Sequence, residues 1–522
     1  MTFPSSADFH VRSRLKACAA LAFLLTACHA SPRPAITPRL APVQQLRHDI
    51  DTLLSAPAFD RSFWAVLVNS LATGETLYTA NARKLLLPAS NMKIVTLAAA
   101  ADRLGWDYTY ETRLQATASI EAGILNGDVV AVGSGDPSIG VRDGPHVFDE
   151  WAEQLKARGL RRIEGRIIGD DDAFDDEALG AGWTWDDLGE GYSAGVSALQ
   201  FNENTIRATI VPGRRAGDPA VATIEPVGSG VIVDNAVTTA PPGSATSIDA
   251  LRLPGSAHLA LHGVVSLDAA PAVRTFSVEN PTLFFVTVLR NTLIAHGIDV
   301  RGPAVDIDDV GDAPSRDAPS LVFHRSPPLS ELAVTLMKAS QNLYAETFLK
   351  TLGAQAAAPT FAGGLAATRA AMEMWGVEPG GLIMRDGSGL SRYNYATAQT
   401  LVAILTHIDR DAKLRGPFEA ALPIAGKDGT LSRRMAATAA EGNARAKTGS
   451  LSHARALSGY VRTADGEPVV FSIIANNFDA AAAVVDQATD AIVVRLAEFT
   501  RRGSETHGPR NSPEHEPTKV VM

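Results

Sequence analysis

Two hairpin signals stand at opposite ends of the 522-residue chain, and together they constrain its fold more than any other feature. Phe63 to Ser70 and Glu75 to Asn81 are strand-like runs around Ala72-Thr73-Gly74, while Ala454 to Thr463 and Pro468 to Asn477 flank Asp465-Gly466. Antiparallel strands supplied by both ends predict one shared sheet, closed by a helix over Asp479 to Thr500. Whatever lies between must leave that sheet and return to it. The stretch from Lys93 to Ser340 is far longer than one connection needs, and it alternates apolar and polar residues with Gly and Pro punctuation. It predicts a discontinuous domain, 43–110 and 318–500, interrupted by one or two inserted domains, mainly β or αβ, over 111–317. Within the insertion, strands are expected at Asp128 to Val132, Ile163 to Gly169, Thr205 to Val211 and Leu259 to Leu267. Helices are expected at Phe148 to Arg158 and Pro281 to His296.

Directly after the first hairpin comes Leu86-Leu87-Pro88-Ala89-Ser90-Asn91-Met92-Lys93, running into an Ala/Leu-rich helical segment. Pro88 favours a helix start, which puts the Ser90 hydroxyl and the Lys93 amine three residues apart on one face of the first turn. A serine hydroxyl is a weak nucleophile, and a lysine can activate it only when burial or a nearby cation leaves the amine neutral. Ser-x-x-Lys alone is equally compatible with a capped surface helix. Two further stretches change the balance: Ser340-Gln341-Asn342 in a helical run, and Lys447-Thr448-Gly449 ahead of the strand at Ala454. Singly these read as a solvated helix face and a strand entry. In this order the three form the motif set of penicillin-recognising serine enzymes.

Composition narrows the alternatives. The chain is 46% hydrophobic and 20% charged, with net charge −10 and an isoelectric point near 5.7, so nothing in it favours a polyanion such as nucleic acid as partner. Arg12, Arg14 and Lys16 precede the apolar run Ala17 to Ala27, which has the length of a secretory signal core and is too short to span a bilayer. Residues 1–30 are read as a lipoprotein signal segment. Leu25-Thr26-Ala27-Cys28 resembles a lipobox in which Cys28 is lipidated and anchors the protein to a membrane; cleavage after Ala30 is the alternative. Both cysteines, Cys18 and Cys28, lie in this segment, so the mature body has no disulfide, thiol nucleophile or cysteine metal ligand. Residues 31–42 read as a Pro-rich linker, Val43 to Leu54 as a short amphipathic segment, and 501–522 as a disordered tail. The histidines show no metal-ligand spacing and no phosphate loop occurs, so no metal or other cofactor is expected.

With further blocks at Gly133-Ser134-Gly135-Asp136-Pro137, Gly182-Trp183-Thr184-Trp185-Asp186-Asp187, Val196 to Asn204, Asp386 to Arg392 and Leu422 to Gly426, the chain resembles the class C low-molecular-mass penicillin-binding proteins. These are D-alanyl-D-alanine carboxypeptidases/endopeptidases of peptidase family S13. The resemblance runs from about residue 44 to 500 and departs at Tyr395, where the family more often has arginine. It implies an α+β fold, a β-lactamase/transpeptidase-like antiparallel sheet flanked by helices. Peptidoglycan stem peptides are the implied substrates, and β-lactams the implied covalent inhibitors. By position, Ser90 is the nucleophile, Lys93 its base, and Ser340 the donor to the departing amine. Asn342 holds substrate and Lys93, and Lys447 supplies positive charge that keeps Lys93 neutral. Thr448 binds the terminal carboxylate, Gly449 lets substrate lie against the strand, and the Ser90 and Ser450 N–H groups form the oxyanion hole. Trp183, Asp186 and Arg392 are the implied pocket for a diaminopimelate side chain. A serine β-lactamase and a catalytically silent wall-binding scaffold are the competing readings.

Overall fold

The computed structural model describes residues 40–140, 147–311 and 319–502. From Ala41 onward the chain forms one compact unit built on the sheet that the two hairpins predict. Its strands run in the order Thr76–Ala80, Phe63–Ser70, Pro468–Asn476, Ala454–Arg462, Arg445–Leu451, antiparallel throughout. The N- and C-terminal hairpins meet along Phe63–Ser70, where Phe63 faces Asn476 and Ser70 faces Val469. The fifth strand, Arg445–Leu451, carries the Lys-Thr-Gly motif itself and lies at the sheet's edge; the sequence reading had placed the motif ahead of a strand, not inside one.

Alternation along these strands builds two cores. In Pro468–Asn476, Val470 and Ile474 face the helix Met92–Leu104 and the Ala398–Arg410 helix, whereas Val469, Phe471 and Ile473 pack with the helices Pro42–Leu54 and Ala482–Ala497. Both faces are therefore covered, and the strand has no polar side to show in its pattern. Two side chains tie the sheet to the segment before Ser90. Asn476 Oδ1 accepts the Leu87 N–H at 2.7 Å while its Nδ2 donates to the Leu87 carbonyl at 3.1 Å. Asn91 Nδ2 donates to Ser458 Oγ at 2.7 Å, and Ser458 donates on to Ser472 at 2.9 Å.

The intervening residues have a core of their own, assembled from Trp151, Phe276, Phe285, Leu289 and their neighbours. Strands Val129–Val132, Thr205–Val211 and His258–Ser266 and helices Val147–Ala157 and Pro281–Ala295 fall where the sequence places them. Two expectations change. The run Ile163 to Gly169 is two strands, Arg162–Ile163 and Ile167–Asp170, belonging to different sheets; the chain turns at Gly165, where a Cβ would lie 2.4 Å from the Gly127 carbonyl oxygen. The boundary at 317 also moves, because Ser320–Arg325 pairs antiparallel with Glu111–Ala116 and completes the sheet Ala304–Asp306, Ile167–Asp170, Val129–Val132, Glu111–Ala116. Arg501, read as the first tail residue, is bound to Glu467 and Glu75. The signal segment with Cys28, the linker up to residue 39 and the tail from 503 lie outside the described residues.

The Asn476 clip makes a stability prediction. Asn476→Ala leaves both polar groups of Leu87 facing the space of a buried side chain, so it is expected to cost about 1–3 kcal/mol. The check is a lower urea midpoint at unchanged m-value.

Candidate active site

Ser90 lies in a short 3-10 segment, Ala89–Asn91, that leads directly into the helix Met92–Leu104. The turn is packed too closely for side chains on its neighbours. A Cβ on Gly449 would stand 2.5 Å from the Pro88 carbonyl oxygen, and one on Gly389 would stand 1.9 Å from that of Ala89. Gly389 also has φ of +85°, a conformation glycine adopts without strain. The missing side chain of Gly449 makes room for the nucleophile turn.

Lys93 is fully buried beneath Ser90. Its Nζ is 3.0 Å from Ser90 Oγ, 2.6 Å from Asn342 Oδ1 and 2.8 Å from the Ser388 carbonyl oxygen. Burial pushes the amine down from its ordinary value to about 7, against Glu346 and Asp386, whose charges pull it upward. A neutral amine has two N–H groups and one lone pair. Asn342 and Ser388 are acceptors only at the atoms they present, so they take both N–H groups, and the lone pair is left facing the Ser90 hydroxyl. That is the arrangement a general base requires.

Ser340 occupies the break between the helices Leu329–Lys338 and Asn342–Gln355, with φ of +58°. It is not inside a helical run, as the sequence suggested; the break is what turns its hydroxyl to Lys447, whose Nζ lies 2.7 Å from Ser340 Oγ and 2.9 Å from the Thr448 carbonyl oxygen. Lys447 is also fully buried, and burial followed by the Lys93 charge pushes its amine well below the ordinary value. Burial is the larger cause for both amines, and the repulsion between them, which is mutual, keeps the two from being charged together. Asn342 donates its Nδ2 to the Tyr192 carbonyl oxygen at 2.7 Å, which fixes the amide with its oxygen toward Lys93.

The edge strand presents main-chain groups to the cleft. The Ala446 N–H donates away from the sheet to the Pro423 carbonyl, so by the two-residue period of a regular strand the N–H groups of Thr448 and Ser450 also point off the open edge. Ser90 N–H lies in the first turn of its 3-10 segment, where N–H groups lack an intrahelical acceptor. Thr448 Oγ1 meets Thr430 Oγ1 at 2.8 Å. The cleft, about 370 Å³, is lined by Ser90, Ser340, Asn342, Arg392, Thr448 and Ser450 together with Thr184, Asp187, Tyr192 and Thr430.

Of the three residues expected for a side-chain pocket, Arg392 lines the cleft, with Nη2 3.4 Å from the Ser452 carbonyl oxygen. The Trp183 loop adjoins the Arg392 loop, since Trp183 Nε1, at 2.9 Å, and the Ser391 N–H both reach Asp386 Oδ2. Asp186 is exposed; among the described residues the acid lining this side of the cleft is Asp187, which accepts from Thr184 at 2.5 Å and Tyr192 at 2.7 Å. Sequence reasoning missed Asp187, Tyr192, Thr430 and Glu346. Glu346 carried a usable signal, since it stands four residues after Asn342 and so shares its helix face.

A model of the D-Ala-D-Ala carboxypeptidase 3 (S13) family matches residues 46–499. The chain belongs to that family. It is similar to a D-alanyl-D-alanine carboxypeptidase of Actinomadura sp. (strain R39), 36% identical over 473 residues that cover 88% of this chain and 86% of the relative. It is similar also to D-alanyl-D-alanine carboxypeptidase DacB of Haemophilus influenzae, 27% identical over 408 residues, 76% of this chain and 82% of the relative. The crystal structure of penicillin binding protein 4 (dacB) from Haemophilus influenzae matches with a TM-score of 0.77 at 25% identity, covering 86% of this chain and 100% of that one. The S13 fold is thus the α+β, transpeptidase-like architecture expected from the motifs.

With Lys93 as the expected base, its lowered pKa, about 7, predicts the pH dependence of the site. Below that value Lys93 is protonated and has no lone pair for the Ser90 proton; above it the amine is neutral. The rate of Ser90 acylation by a penicillin is therefore expected to rise as pH increases through about 7 and then level off, read by stopped-flow over the neutral range. A rate that fell across this range would assign the base to another group.

Proposed function

We propose that the protein is a serine-type D-alanyl-D-alanine carboxypeptidase/endopeptidase that acts on peptidoglycan stem peptides through a Ser90 acyl-enzyme and is inhibited covalently by penicillins. The observation that carries this reading is the Lys93 amine, buried with both N–H groups committed and its lone pair toward Ser90. Ser90 Oγ attacks the carbonyl of the penultimate D-alanine as Lys93 takes its proton. The oxygen of the tetrahedral intermediate is received by the N–H groups of Ser90 and Ser450, a contribution of about 3 kcal/mol per donor in serine hydrolases. Ser340 gives its hydroxyl proton to the departing amine and recovers one from Lys447, 2.7 Å away, and the proton that Lys93 took from Ser90 replaces the one Lys447 gives up. Thr448 and the Lys447 charge receive the terminal carboxylate, and water or a second amine then resolves the ester.

The intervening residues 111–325 are proposed as a domain inserted into this catalytic body. The protein is proposed to be exported, with Cys28 as lipid anchor; among the described residues no helix is long and apolar enough to cross a membrane. The committed lone pair disfavours a silent scaffold, and the lifetime of the acyl-enzyme separates the carboxypeptidase from a β-lactamase.

Ser90→Ala is expected to abolish covalent penicillin labelling, and Lys93→Ala to slow it by orders of magnitude. Intact-mass analysis of protein lacking its first thirty residues checks both; an adduct at another residue would overturn the nucleophile assignment. For the substrate side chain, Arg392 is proposed to meet the free carboxylate of diaminopimelate, with the acidic loop of Asp186 and Asp187 facing its amine. Loss of one charge-assisted hydrogen bond corresponds to roughly 10- to 150-fold in kcat/KM. Arg392→Ala should show that loss on a muropeptide with free diaminopimelate and not on a blocked-lysine tripeptide; equal losses would make Arg392 structural.

A further inference from the structure

Glu346 is a fully buried carboxyl group four residues after Asn342 on the same helix, and its two oxygens are spent on main chain. Oε2 accepts the Gly387 N–H at 2.7 Å and Oε1 the Ser388 N–H at 2.8 Å. The loop comes this close only because residue 387 is glycine: a Cβ there would lie 2.5 Å from the Ala345 carbonyl oxygen. Thr96, one turn beyond Lys93, donates to the Gly387 carbonyl at 2.7 Å. The next carbonyl, that of Ser388, accepts from Lys93.

We propose that Glu346 is a positioning residue for the general base: it fixes the Ser388 carbonyl that takes one of the two Lys93 N–H groups, and so aims the remaining lone pair at Ser90. The inference rests on the acyl-enzyme reading above. Geometry explains the residue type. Each of the two adjacent main-chain N–H groups meets its own oxygen, at 2.7 and 2.8 Å, where an amide would offer one oxygen to both. Burying that group is costly and burial raises its pKa, while the two N–H groups it accepts from favour the ionised form. A neutral amide would share one oxygen between the two N–H groups, as Asn394 Oδ1 does for Arg385 and Asp386 at 2.7 and 3.4 Å, and would hold the Ser388 carbonyl beside Lys93 less firmly. With Asn342 held by Tyr192, both acceptors of the amine are then fixed from behind, and one helix supplies Asn342 and Glu346 together.

The groups that face Lys93 are Ser90 on its own turn, Asn342 and Glu346 on the Asn342–Gln355 helix, Asp386 on the loop and Lys447 on the edge strand. Glu346 and Asp386 pull the Lys93 pKa upward. Replacing Glu346 by glutamine should therefore do two separable things to the intact enzyme. The second-order rate of penicillin acylation should fall by about 10-fold or more, the loss of a hydrogen bond to a charged acceptor. The midpoint of the pH–rate rise should move below the wild-type value, because a carboxylate near the amine has been removed. Glu346→Asp, which keeps the charge and shortens the reach, should lose rate while its midpoint stays closer to wild type than that of Glu346→Gln. Rates are taken on the folded fraction, counted by the final extent of Ser90 labelling. A lower melting temperature with wild-type rate and midpoint in either variant would overturn the proposal and leave Glu346 a stability residue. Absence of Ser90 labelling in the wild type would overturn the acyl-enzyme reading itself, independently of Glu346.

Discussion

The site depends on an amine denied water. Lys93 is an ordinary lysine by sequence, and in solution it would be an ammonium ion with three donors and no lone pair. It is fully buried in the first turn of the helix Met92–Leu104, so the charged form loses its solvation without gaining a hydrogen bond to a carboxylate. Glu346 and Asp386 are near enough to act on it, yet the carboxylate oxygens of both are occupied by other donors, the N–H groups of 387 and 388 for one and those of 389 and 391, with Asn394 and Trp183, for the other. The balance between burial and these two acids leaves the amine poised near neutrality.

One helix face organises what surrounds that amine. Asn342, Glu346 and Lys350 stand at successive i, i+4 positions of Asn342–Gln355, the spacing that stacks side chains along one stripe. The first reaches Lys93, the second the loop that also reaches Lys93, and the third buries its ammonium against Asp175, 2.5 Å from Oδ1, and over the Phe361 ring at 4.8 Å. A polar stripe on a buried helix would be destabilising if any member lacked a partner. Here each one has a partner on a different segment of chain, so the helix fixes three loops relative to one another.

Much of this was legible in the sequence, for identifiable reasons. Ser90, Lys93, Ser340, Asn342 and Lys447 were legible because the proposed nucleophile, base and relay demand specific residue types, and the hairpins at both ends carry period-2 signals strong enough to pair across nearly the whole chain. Local conformation was less legible. Ser340 breaks a helix with a left-handed residue, and Lys447 lies in a strand whose far edge is cleft, so neither propensity nor alternation marks them. Asp187 could not be separated from Asp186, since choosing between neighbours requires knowing which way a 3-10 turn rolls. The strand Ser320–Arg325 fell on the wrong side of a boundary because its partner, Glu111–Ala116, is two hundred residues away and pairing leaves no local trace.

The long intervening region does more than fill space between two motifs. Two of its residues hold site residues by direct bonds: the Tyr192 carbonyl takes the amide hydrogen of Asn342, and the Trp183 indole donates to Asp386. An asparagine amide is nearly symmetric in shape, and with Nδ2 unbound its two ends would compete for the space beside Lys93. Only the oxygen can accept from the amine; a flipped amide would set two donors against each other. The Tyr192 carbonyl removes that choice, and the Tyr192 hydroxyl is in turn anchored on Asp187 in the cleft. A group on the substrate that engages Asp187 thus touches the same short loop that orients Asn342. On the proposed reading, recognition of the remote side chain and activation of Ser90 share this loop, which is how binding energy far from the scissile bond can be expressed in the chemical step.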